Sequence, residues 1–170
     1  PKAILSTSAH WYSSRLQVTS GEHPEIIYDF YGFPDELSQV QDPAPGAPEL
    51  AKQVQSLLQP ENVELNPTRG FDHGAWAVLK YLYPNADIPV VQLSLNRLQS
   101  AEWHFNLAKK LSALREQGVL IIGSGNIVHN LRAISWEHID QIGAGYDWAF
   151  AFRETVNQAI ATQDDETLVH

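Results

Sequence analysis

The chain has 170 residues, 44% of them hydrophobic and five of them tryptophan, which supports one sizeable buried core and excludes a disordered polymer. Lys and Arg number 11 against 20 Asp and Glu, a net charge of −9 with no basic run, so nucleic acid and anionic membrane are excluded as partners. No apolar stretch approaches the roughly 20 residues of a membrane span. Zero cysteines exclude disulfides and thiolate ligands, so a metal would rest on His and carboxylate, and the composition suits the cytoplasm.

In chain order, Ala3 to Ser8 reads as a central strand whose carboxyl end presents His10, followed by Trp11. Leu16 to Thr19 and Ile26 to Tyr28 read as short strands around a Ser20–Pro24 turn. The aromatic loop YDFYGFP (Tyr28 to Pro34) and the linker DPAPG (Asp42 to Gly46) come next. A helix starts near Pro48, presents Leu50, Val54, Leu57 and Leu58 on one face, and is ended by Pro60. Val63 to Leu65 is a strand. A loop from Arg69 to Gly74 then leads into a helix from Ala75 to Tyr83, stopped by Pro84.

Ile88 to Leu95 gives the next strand, and Ser100 caps a long helix reaching Gln117, with Gly118 past its end. Val119 to Ile122 reads as a strand buried on both faces. The turn Gly123-Ser124-Gly125-Asn126 follows and delivers His129 beside Asn130. A last helix, Tyr146 to Ala161, aligns Trp148, Phe152, Val156 and Ile160, and the tail Asp164-Asp165-Glu166 is solvated. Strands alternating with helices predict one α/β domain over 1–170, a mainly parallel sheet flanked by helices.

His10, His73 and His129 each follow a strand or sit in a small-residue loop, positions that suit a metal ligand or a general base. The bland alternative for each is a hydrogen-bonded structural histidine. His23, His104, His138 and His170 read as surface or packing residues. Asp72 and Asp29 are both placed to orient an imidazole, a turn cap being the expectation for Asp29. The glycine turn lacks the third glycine of a dinucleotide loop and the Lys-Ser/Thr pair of a phosphate loop. A hydrolase elbow fails at Ile122. Trp11, Tyr28, Phe30, Tyr31 and Phe33 are candidate walls for a planar ligand.

Taken together, the segments SAHW (Ser8 to Trp11), YDFYGFP, DPAPG, GFDHGAW (Gly70 to Trp76), DIPVVQLSL (Asp87 to Leu95) and SGNIVHNLR (Ser124 to Arg132) resemble one family. It is the class III (LigB-type) extradiol ring-cleavage dioxygenases, in the 4,5-DOPA extradiol branch. The resemblance implies a LigB-like core and a non-haem metal enzyme that opens a catechol-type, DOPA-like ring with O2 to a semialdehyde. Fe(II) is the expected cofactor, with Zn(II) as its substitute. It implies His10 and His129 as metal ligands and His73 as the catalytic residue that handles protons. Asp72, Trp11 and Asn130 would support these imidazoles or line the pocket.

The implied partners are a small aromatic diol and O2, and an oligomer is allowed. The family's earlier His-Gly-Ser-Pro segment and a later histidine segment are absent from these residues, so the core is expected to be truncated at both ends and to hold metal poorly. The competing classes are a non-catalytic remnant binding Zn or an aromatic ligand, and a metal-dependent hydrolase.

Overall fold

The structure, a computed structural model, describes residues 1–32 and 34–170. Phe33, one of the candidate pocket aromatics, lies outside the described residues. The chain forms two compact units, Pro1–Gly125 and Asn126–His170.

The first unit is built on β1 (Ala3–Ser13), β2 (Leu16–Thr19), β3 (Val63–Asn66), β4 (Val90–Asn96) and β5 (Val119–Ser124). They form a five-stranded sheet of order β3-β2-β4-β1-β5. The pairs β1–β4, β1–β5 and β2–β3 are parallel, while β2 meets β4 antiparallel through Val18 opposite Leu93. The expected mainly parallel α/β sheet is therefore present. Its central strands explain why VVQLSL is continuously apolar or uncharged: Val90 to Ser94 are all buried, with helices on both faces.

On one face, Leu5, Val18, Val91 and Leu93 pack with Leu50, Val54 and Leu58 of α1 (Pro48–Leu57) and its cap. Leu107 of α3 (Ala101–Lys109) and Leu114 of α4 (Ala113–Glu116) complete that core. On the other face, Ile4 and Val90 pack with Phe71 and with Ala75 and Leu79 of α2 (His73–Leu82).

Four expectations change. The helix from Ser100 does begin there, the Ser100 hydroxyl accepting the Trp103 N–H at 3.1 Å. It breaks at Lys110–Ser112, where backbone N–H groups bond three residues back instead of four and the Ser112 hydroxyl donates to the Lys109 carbonyl at 2.8 Å. β5 is an edge strand, so its apolar run is not buried on both faces and Ile121 is 38% exposed. Ile26 to Tyr28 reduces to a single bridge, Ile26 to Phe71.

The fourth change lies in the second unit, which carries short 3-10 turns at Leu131–Ala133 and Trp136–His138, then α5 (Asp147–Thr162) and α6 (Asp165–Val169). α5 packs against α6 through its small face, where Ala159 is buried, while the predicted stripe residues Trp148, Phe152 and Ile160 remain exposed. Among the described residues no helix is long and apolar enough to cross a membrane.

Candidate active site

Three segments distant in sequence converge on His10. The first is β1 itself. Thr7 pairs with Leu93 and Tyr12 with Leu95, so five steps along β1 lie opposite two along β4. Ser8 to Trp11 therefore leave the register of β4, with Ser8 still paired to Ser124 of β5, an enlarged bulge that exposes His10 while Trp11 stays buried. The Ser8 hydroxyl accepts the His10 N–H at 3.1 Å and steadies the excursion.

The second segment is the start of α2. Asp72 is its N-cap, accepting the Ala75 N–H at 3.2 Å, so His73 stands at the first helical position. Asp72 is fully buried. Its own N–H donates to Gln92 Oε1 at 3.3 Å, and its Oδ2 accepts from the Gln92 amide and from Arg69 Nη2 at 3.5 Å. Gln92 belongs to central strand β4 and is itself buried, which ties the helix start to the sheet. Gly74 makes the close approach feasible: a Cβ there would lie 2.2 Å from Ser8 Oγ and 2.9 Å from His10 Cδ2.

The third segment is the aromatic loop. The Ile27 N–H donates to the Phe71 carbonyl at 2.7 Å, and Trp76 Nε1–H donates to the Ile27 carbonyl at 3.0 Å. These bonds lay the loop along α2 and bring Asp29 to His73. Asp29 Oδ1 accepts the His73 backbone N–H at 3.0 Å and lies 2.7 Å from His73 Nδ1. Burial raises the Asp29 pKa, but the His73 backbone and ring hydrogen bonds outweigh it and hold the carboxyl below its ordinary value.

The resulting cluster is compact. The His10 and His73 rings stand 3.9 Å apart, tilted by 49°. Phe30 meets His73 edge-on at 5.7 Å and leans on Trp76 at 6.1 Å. Donor atoms of His10, Asp29 and His73 all lie within 4.8 Å of one another. A pair of imidazoles and a carboxylate at that spacing is a donor set suited to a divalent non-haem metal.

The sequence-derived residues thus divide. His10 and His73 meet. Asp72 is not the group that faces the His73 ring: helix capping, Gln92 and Arg69 occupy its carboxylate, and Asp29 is no turn cap but the partner of that ring. Trp11 is buried beneath the Arg69 guanidinium, 4.4 Å from its centroid, while Tyr31 is 93% exposed and walls nothing. Trp76, which the sequence marks only as the end of GFDHGAW, is a buried residue that backs Tyr28 and Phe30. His129 and Asn130 belong to the second unit, where they line a cleft of about 790 Å³ with Ile127, Arg132, Trp148 and Phe152.

The other histidines are structural or superficial: His104 bridges the Ser100 carbonyl and the Asn96 N–H, and His138 contacts the Ser135 hydroxyl at 2.7 Å. Asp29 was legible in one respect. An acidic residue between Tyr28 and Phe30, in a loop that packs, must find a hydrogen-bond partner.

Residues 1–160 match the family model for the catalytic LigB subunit of aromatic ring-opening dioxygenase. A 4,5-DOPA dioxygenase extradiol from Escherichia coli (strain K12) is 46% identical over 96% of this chain and 59% of its own length. The protein of the same name from Mirabilis jalapa is 47% identical over 76% of this chain and 49% of its own. A crystal structure of an uncharacterized protein from Escherichia coli K12 superposes with a TM-score of 0.76 at 42% identity, over 93% of this chain and 59% of that one. The chain thus spans three fifths or less of the length of these relatives.

Proposed function

We propose, for a chain that belongs to the family of catalytic LigB subunits of aromatic ring-opening dioxygenases, that it carries the proton-handling and part of the metal-holding machinery of an extradiol dioxygenase acting on a catechol-type, DOPA-like ring with O2. The observation that carries this reading is the convergence of His10, His73 and Asp29, whose donor atoms lie within 4.8 Å on a scaffold that locks each segment separately. Imidazole nitrogen is a donor that fits Fe(II), with Zn(II) as its substitute. In this reading His10 is a metal ligand, and the VHN motif marks His129 as a candidate for the same role. Fe(II), when bound, would supply a template for the diol oxygens and a path for electrons between ring and O2.

The chain's own residues do the rest. His73, at the first turn of α2, takes a proton from a catechol hydroxyl and returns one as the ring opens, work suited to an imidazole near neutral pH. Phe30 stands edge-on to that imidazole, backed by Trp76, and shields one side of it from water. Asp72, Trp11 and Asn130 are proposed in supporting places. Asp72 acts by fixing the α2 terminus, Trp11 by packing under Arg69, and Asn130 by its position next to His129. A cytoplasmic setting completes this reading.

Oxygen uptake with catechols, after anaerobic loading with Fe(II), tests the reading. Ring-opened semialdehyde formed in step with O2 consumption is the expected result, and His73→Ala should retain metal while losing turnover. Metal bound without any O2 uptake would leave the binding remnant as the better description. Loss of the metal from His73→Ala would overturn the division of roles.

A further inference from the structure

We infer that Asp29 is a positioning residue that fixes the tautomer of His73, placing the proton on Nδ1 and leaving Nε2 as the basic nitrogen. The inference rests on the reading of His73 as the group that moves protons. Its geometric basis is independent of that reading. A neutral imidazole carries one N–H, and which nitrogen holds it is set by the partner of the other. Asp29 Oδ1 lies 2.7 Å from Nδ1, and the same oxygen accepts the His73 backbone N–H at 3.0 Å. An anionic acceptor at that distance requires a proton on Nδ1, so Nε2 is the ring nitrogen that Asp29 does not engage.

The carboxylate is itself held. Its loop is pinned by the Ile27 N–H to Phe71 and by Trp76 Nε1–H to the Ile27 carbonyl, and neighbouring Phe30 abuts both His73 and Trp76. Oδ1 thus grips main chain and ring of one residue together. That dual grip suits orientation: His73 can neither rotate its ring nor drift from the helix start without breaking a charge-assisted bond.

Nitrogen-15 spectra of histidine-labelled, metal-free protein at a pH where the ring is neutral read the tautomer directly. The expected result is His73 in the Nδ1–H form in the native protein, assigned by its loss in His73→Ala. Asp29→Asn keeps a carbonyl oxygen able to accept both N–H groups and should retain that form. Asp29→Ala should move the ring toward the Nε2–H form, and kcat should fall about 10- to 100-fold with little change in KM or metal content. Asp29→Asn should recover part of the kcat.

An Nε2–H signal in the native protein overturns the inference without any variant. So does metal lost in Asp29→Ala, which would make the carboxylate a ligand. A tautomer that shifts as expected, in a protein whose His73→Ala variant still turns over, would leave the positioning intact and remove the proton role instead.

Discussion

Replacing Gln92 with Leu tests whether the sheet sets the geometry of the helix that carries His73. Gln92 is fully buried in β4 and makes two contacts with Asp72. Its amide donates to the carboxylate, and its Oε1 accepts the Asp72 N–H at 3.3 Å. Leu fills a similar volume and removes both. Losing a hydrogen bond to a charged group costs about 1.5–3 kcal/mol, and stranding a buried N–H about 1–3 kcal/mol. Ala75 N–H and the more distant Arg69 still face the carboxylate, so its charge is not left wholly alone.

The expected destabilisation of Gln92→Leu is therefore about 3–5 kcal/mol, read from urea unfolding with an unchanged m-value. A double-mutant cycle with Asp72→Ala should give a coupling of more than about 1 kcal/mol. A Gln92→Leu protein within about 0.5 kcal/mol of the native one, or a coupling near zero, would refute the idea that this buried pair anchors α2.

Two other outcomes follow from single positions. Gly74→Ala introduces a Cβ that meets Ser8 Oγ at 2.2 Å and His10 Cδ2 at 2.9 Å, so the Ser8 hydroxyl and the His10 ring must shift from their places or the helix start must back away. A loss of about 1–3 kcal/mol in unfolding free energy and weakened Fe(II) or Zn(II) binding by titration are expected, and unchanged metal affinity would count against the site.

Asp42 is 7% exposed, its Oδ2 finds no partner among the described residues, and burial raises its pKa against the lowering effects of the Ala44 N–H and Lys80. The folded state therefore binds that proton more tightly than the unfolded one. The contribution to stability is greatest below the unfolded pKa of about 3.9, and it falls as pH rises through the folded value. Asp42→Asn should be more stable than the native protein at pH 7, the gap closing near pH 4 by urea titration. A variant less stable at pH 7 would contradict it.

The sheet and its helices were legible because the apolar patterns match burial. VVQLSL lies in the centre, and Leu50, Val54 and Leu58 face the core as their spacing predicts. Gly118 ends its helix with φ of +85°, the conformation that favours glycine. What escaped was tertiary. The break at Lys110 is invisible because Leu107, Leu111 and Leu114 stay buried on either side of it, keeping a helical spacing. The apolar run of β5 does not report that it would lie at an edge.

In the site, His10 and His73 stood out by residue type and loop context. Their proximity depends on Gly74, and the pairing of Asp29 with His73 spans 44 residues with no local signature. Asp72, adjacent to His73 in sequence, looked the better partner. Its capping role turns it the other way, toward Gln92.

The departure of β1 from its ladder between Thr7 and Tyr12 has a consequence for how this chain can change. Both feet of the arch are fastened, by Leu93 opposite Thr7 and Leu95 opposite Tyr12, so it is a bracket bolted to a wall and not a tether. Side chains along the arch can be exchanged to admit a different ion or ring while the bolts keep the sheet shut. Shortening the arch by one residue, in contrast, would re-aim the side chains within it while Thr7 and Tyr12 keep their partners.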